Sequence, residues 1–279
     1  MERKYVTTPS VPATPAGPPR RRKPLRRVEV VSVTAIAPRL VAIEVTGDDL
    51  DGFADAAPTS HLKVYLPAEG QDAPNLPEYT PEGAVYAEDG PRPVVRTYTP
   101  RRYDPAAKTL EIQFLLHGEG PASGWAQRAR PGDKLAVAGP GGRFSLEPAA
   151  DHWWLAADES AVPAVGTLLD ALPETATVDV HIEVDGPDDE IELAGPAKAT
   201  ITWHHRRASD AFGAELAAAA RAAAIPDGAR IWVACESGAM RDIRRHFTRE
   251  RGIPVARLVT RGYWRAGEQN HPDHDYGDD

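Results

Sequence analysis

At Gly139-Pro140-Gly141-Gly142 the grammar of the chain changes. Before it, apolar residues come in short β-branched runs bounded by Gly, Pro and Asp: VEVVSVTAI, RLVAIEVTG, HLKVYLP, VVRTYTP, TLEIQFLL and KLAVAGP. Several of these alternate, and so many short strands in about 110 residues predict an antiparallel β-barrel. After it, strands alternate with helical stretches: HWWLAA, ESAVPAVGTLLDAL, TVDVHIEV, ATITWHH, an Ala-rich helix over about 210–224, ARIWVAC, ESGAMRDIRRHFTRER and VARLVT. That alternation is the pattern of a parallel sheet flanked by helices. The expected fold is therefore β followed by α/β: a six-stranded antiparallel barrel over 28–147 and a parallel-sheet domain over 148–267. A Pro/Arg-rich flexible arm over 1–27 and an acidic tail over 268–279 flank them.

Composition narrows what such a chain can do. Of 279 residues, 42% are hydrophobic and 26% charged, and the formal net charge is −9, so the chain as a whole does not read as a nucleic-acid or anionic-membrane binder. No run approaches the ~20 apolar residues of a membrane helix, and no apolar signal core follows Met1. The single cysteine, Cys235, excludes an internal disulfide and reads as a small core residue at a strand end. A cytoplasmic monomer is the expectation.

Ser123, Ser160 and Ser237 lack the Gly-x-Ser-x-Gly frame of a nucleophile elbow, and neither a Walker loop nor Gly-x-Gly-x-x-Gly occurs. Two segments carry more. Arg96-Thr97-Tyr98-Thr99 closes a strand, and His117-Gly118-Glu119-Gly120-Pro121-Ala122-Ser123 follows about twenty residues on. A strand-end Arg offers a planar fork to a pyrophosphate, and a Tyr two residues away can stack on a flat ring. Small residues opening a helix leave backbone N–H groups for a second phosphate. Each segment alone could be an ordinary strand or a plain helix cap; together, in this order, they point to a flavin dinucleotide on a barrel rim. His271 and His274 with Asp273 and Asp275 could chelate a metal, but the acidic tail holding them is read as disordered, and no metal is expected.

With these motifs, and with Pro131-Gly132-Asp133, Gly139-Pro140-Gly141-Gly142, Asp158-Glu159-Ser160-Ala161-Val162-Pro163-Ala164, Ala234-Cys235-Glu236 and Gly262-Tyr263-Trp264-Arg265-x-Gly267, the sequence resembles the siderophore-interacting proteins. These are flavin-dependent ferric-siderophore reductases of the ferredoxin-reductase superfamily. The resemblance implies FAD, with Arg96 on its pyrophosphate, Tyr98 and Thr99 along the ring and ribityl, and Gly120, Pro121, Ala122 and Ser123 on the phosphates. His117 would lie near the flavin, or is a strand-end histidine satisfied by backbone. Thr97, Asp158, Ser160 and Trp264 join the cofactor-binding set. Ala157, Ser160 and Cys235 stand where the family usually has Gly, Thr and Gly.

The implied activity is reduction of a ferric siderophore by NAD(P)H or a ferredoxin, with no proton-transfer triad required. Lys63, Arg101, Arg102, Arg261 and Arg265 are the substrate candidates. Glu159 and Glu236 sit where a dinucleotide phosphate would be repelled, so nicotinamide binding should be loose, with Arg241, Arg244 and Arg245 as compensation on the Glu236 side. A general NAD(P)H:flavin or ferredoxin-type reductase and a non-catalytic siderophore-binding module are the alternatives.

Overall fold

The computed structural model describes residues 24–276 apart from 54–55, 81–82, 88–89, 119, 143, 148, 196–197, 208–210, 270 and 272–274. Most of the expected arm, together with Glu119, Asp273 and His274, lies outside the described residues.

The first half forms one antiparallel sheet of seven strands: β1 (Leu25–Ala37), β2 (Leu40–Thr46), β3 (His61–Leu66), β6 (Val94–Tyr98), β7 (Pro100–Asp104), β8 (Thr109–Leu115) and β9 (Lys134–Gly141), in the order β6-β3-β9-β1-β2-β8-β7. A small hairpin, β4 (Glu78–Thr80) and β5 (Gly83–Val85), occupies the excursion between β3 and β6. Strict alternation builds the core: Leu110, Ile112 and Phe114 of β8 point inward and meet Val41, Ile43 and Val45 of β2. The two ends of the sheet, β6 and β7, are separated in the chain by Thr99 alone, so the sheet must curl until its edges approach. The run VVRTYTP, expected as one strand, bends there; this adds a seventh strand to the expected six. Helix α1 (Pro121–Arg128) buries Ala122, Trp125 and Ala126 against the same core.

The second half is a parallel sheet of β10 (His152–Asp158), β11 (Thr177–Val184), β12 (Lys198–His205), β13 (Arg230–Glu236) and β14 (Leu258–Trp264), ordered β12-β11-β10-β13-β14. The near-continuous apolar runs of β10 and β13 follow from burial on both faces. Trp153 and Leu155 face α2 (Val162–Ala171), while Trp154 and Ala156 face α3 (Ala214–Ala222) and α4 (Ser237–Arg245). The Ala-rich helix is shorter than its composition suggests, α4 passes into a π-turn over His246–Glu250, and the last strand starts after a 3-10 turn and runs on through Trp264.

The halves are tied by polar contacts. Arg39, in the β1–β2 turn, pairs with Glu159 at 2.8 Å and Asp185 at 3.3 Å. The Thr59 N–H donates to Thr167 Oγ1 at 3.0 Å, and Arg101 pairs with Asp170 at 2.6 Å. Arg101 lies so close to α2 that a Cβ on Gly166 would sit 2.8 Å from its Nε. Gly166→Val should therefore expel Arg101 and lower stability by roughly 1–3 kcal/mol, read as a fall in Tm with the far-UV spectrum retained.

On β11 and β12, His181 Nδ1 and His204 Nε2 lie 3.1 Å apart. Burial, and for His181 the neighbouring imidazole, holds both below the ordinary histidine value. The unfolded chain then binds more protons between those lowered values and about 6.5, so stability is full above that range and is lost as pH falls through it. His204→Gln should flatten the fall in Tm between pH 7 and 5; an unchanged slope would contradict the assignment.

Candidate functional site at the junction of the two sheets

Strand β6 is an edge strand, paired on one side with β3. Arg96 donates through Nη1 to the Val95 carbonyl at 2.9 Å, and no carboxylate among the described residues pairs with it. Thr97 accepts from Lys63 Nζ at 2.7 Å. The Tyr98 ring rests on Phe114, with centroids 4.3 Å apart, and burial pushes its phenol up, so the ring is neutral. Thr99 is buried and lies beside Tyr263 of β14, whose phenol burial pushes up to about 12. The two motifs, far apart in the chain, thus meet through Thr99 and Tyr263.

Helix α1 opens at Gly120 and Pro121 with no side-chain cap, which leaves first-turn amides unspent. Ser123 is buried, and its Oγ accepts from the His117 N–H at 3.0 Å, so this hydroxyl fixes the strand end onto the helix. The His117 ring packs beside Gly120, where a Cβ would come within 3.4 Å of its Cε1. Burial, then Arg39 and Arg96, holds His117 below the ordinary histidine value and leaves it neutral at pH 7. An edge-strand guanidinium, a half-buried aromatic ring and uncapped helix amides fit the pyrophosphate and ring system of a flavin dinucleotide.

The parallel sheet changes direction of winding between β10 and β13, where open α/β sheets bind ligands beyond the carboxyl ends of their strands. Asp158 sits at that point, fully buried. Its Oδ1 accepts from the Ser160 N–H at 3.0 Å and from Ser160 Oγ at 2.5 Å; its Oδ2 accepts from the Glu236 N–H at 2.8 Å and from Trp264 Nε1 at 2.7 Å. Burial pushes the carboxyl up, and these hydrogen bonds work against that rise. All four neighbours can donate, which suits an acceptor-only carboxylate. Asp158 and Ser160 bond to one another, and Asp158 also holds Trp264, so the pair fixes the geometry of this edge. Glu236 caps α4, accepting from the Ala239 N–H at 3.0 Å, so a carboxylate already fills the helix start that a pyrophosphate would use.

The basic candidates divide. Lys63 stays beside Thr97 on the barrel rim. Arg101 belongs to the contact with Asp170, and Arg102 lies 3.6 Å from Glu111 with a mostly exposed side chain. Arg265 pairs with Glu268 at 3.4 Å. Arg241, Arg244 and Arg245 do not form one patch: Arg241 goes to Asp275, Arg244 to Thr260 and Arg245 to Asp242. Cys235 is buried, and burial, then Asp158 and Glu236, push its thiol well up, so it is no nucleophile.

Sequence reasoning missed the platform beside Trp264. Phe212 meets Trp264 edge-on at 4.7 Å, and the Arg206 guanidinium lies 4.7 Å over Phe212. Arg206 is held by Glu159 and Asp185. An aromatic just ahead of an Ala-rich helix was the available signal.

Residues 29–144 match the model of the siderophore-interacting FAD-binding domain, and residues 150–267 match that of the siderophore-interacting protein. The chain is 34% identical to an NADPH-dependent ferric-chelate reductase of Escherichia coli, over 91% of this chain and 98% of that protein. It is 32% identical to the ferric vibriobactin reductase ViuB of Vibrio cholerae, over 90% and 93%. A solved siderophore utilization protein from T. fusca superposes with a TM-score of 0.80 at 36% identity, covering 90% of this chain and 96% of that one.

Proposed function

Since the chain belongs to the siderophore-interacting protein family and carries its FAD-binding domain, we propose that it reduces the iron of a ferric siderophore with electrons from NAD(P)H taken through FAD. The observation that carries this reading is the approach of Thr99 to Tyr263, which brings the flavin-type strand end and the carboxyl edge of the parallel sheet into one site. When bound, FAD accepts a hydride's two electrons and can hand them on singly. Each ferric ion takes one electron, the donor is oxidised and releases its proton, and the siderophore's hard oxygen donors hold ferrous iron less firmly.

In this reading Arg96 and the first amides of α1 hold the phosphates, and the neutral Tyr98 and His117 bound the ring without competing charge. Asp158 holds the Trp264 indole, so the aromatic wall keeps its orientation. Lys63, Arg261 and Arg265 are the cations assigned to an anionic chelate. The proposed units are 28–147 for the FAD domain and 148–267 for the reductase-like domain. A ferredoxin is the other donor to test, and a cytoplasmic monomer is the proposed setting; no helix among the described residues is long and apolar enough to cross a membrane. Steady-state assays with NADPH, NADH and reduced ferredoxin, comparing a ferric siderophore with a dye acceptor, test the reading. Preference for the ferric chelate supports it; turnover of the dye alone makes the protein a general flavin reductase.

A further inference from the structure

Among the described residues after 267, Asp275 is held by contacts from the body of the parallel-sheet half. The Asp275 carboxylate is only 8% exposed and gathers three side chains: Arg241 Nη2 at 2.9 and 3.0 Å, Ser237 Oγ at 2.6 Å and His271 Nε2 at 2.9 Å. Arg241 also donates to Ser237. The backbone follows: the Gly262 N–H donates to the Asp275 carbonyl at 2.9 Å, and a Cβ on Gly262 would fall 2.6 Å from Asp275 Oδ2. One residue on, Thr260 donates to the Tyr276 carbonyl at 2.6 Å and Arg261 stacks over the Tyr276 ring at 4.2 Å. Ser237 opens α4 directly after Glu236, and Gly262 lies two residues before Trp264, so this carboxylate sits at the carboxyl edge of the parallel sheet, beside the site.

We propose that Ser237, Arg241 and His271 form a dock for a compact oxyanion carried by a substrate or co-substrate, which the chain's own Asp275 fills until that ligand displaces it. The donor set matches a phosphomonoester or a carboxylate: a guanidinium fork, a hydroxyl and an imidazole. Arg241 keeps 37% of its side chain exposed, so the dock is not sealed from solvent. Its occupant lies beyond the residues that match the family model. A tethered carboxylate competes at high local concentration, yet it can be exchanged for a ligand oxyanion that offers the same guanidinium, hydroxyl and imidazole an equivalent acceptor. While it is closed, a ligand's apparent affinity falls by the fraction of molecules open. Two ligands carry the chemistry: the 2′-phosphate of NADPH and a carboxylate-bearing ferric chelate. Their assignment as ligands rests on the proposed reductase function; the dock itself does not.

The test is titration calorimetry on the FAD-loaded protein with adenosine 2′,5′-bisphosphate and, separately, ferric citrate. Asp275→Asn and a chain ending at residue 271, which keeps His271, should bind one of the two probes about tenfold tighter than wild type, and adding Arg241→Ala should remove the gain. The probe that gains names the source of the oxyanion. Affinities equal in wild type and both variants would overturn the proposal. If both variants melt early, limited proteolysis of the wild-type protein decides: a probe must speed cleavage after residue 267, and unchanged cleavage overturns it. A protein that binds in this way but reduces no ferric chelate keeps the dock and loses the reductase reading; the reverse result does the opposite.

Discussion

Asp158→Ala is expected to cost about 3–5 kcal/mol of stability. Removing the carboxylate leaves the buried Glu236 N–H and the partly buried Ser160 N–H, Ser160 hydroxyl and Trp264 indole without their acceptor. The loss reaches three strands, because Asp158 ends β10, Glu236 ends β13 and Trp264 ends β14. Asp158→Asn keeps one acceptor oxygen but turns an NH2 toward two donors, so it should fall between wild type and the alanine variant. Chemical denaturation of the three proteins checks the order. An alanine variant within about 1 kcal/mol of wild type would show that the hub carries no structural weight.

Arg96→Ala should weaken FAD binding tenfold to a hundredfold, about 1.5–3 kcal/mol, through loss of a charge-assisted contact to a phosphate. Because Arg96 has no carboxylate partner among the described residues, its removal should leave the melting of the FAD-free protein close to wild type. Arg96→Lys should recover only part of the affinity, since an ammonium lacks the planar fork. Equilibrium titration with FAD gives all three values, and wild-type affinity in the alanine variant would remove Arg96 from the site.

What could be read from the sequence was whatever period and local chemistry determine. Strict alternation in TLEIQFL and unbroken burial in RIWVACE carried the antiparallel and parallel halves. The motif at 96–99 was legible because a strand end and a helix start are local features. Contacts between distant segments were not. Nothing local shows that Thr99 is where one strand passes between the two edges of a sheet, or that it meets Tyr263. Arg101 looked available to a substrate because its partner, Asp170, lies in another element altogether. The three arginines of α4 shared helical spacing, yet their neighbours on β14 and in the segment after 267 divide them. An acidic tail reads as solvated until a basic pocket for one of its carboxylates is built elsewhere.

The most direct measurement is anaerobic: reduce the FAD-loaded protein, mix it with a ferric siderophore in the presence of a ferrous-specific chelator, and follow flavin and ferrous-complex absorbance together. The account predicts that the oxidised flavin spectrum returns as the ferrous complex forms, one ferrous ion for each electron the flavin gives up. A flavin that stays reduced beside the ferric siderophore, and is reoxidised only when oxygen or a dye is admitted, would contradict it.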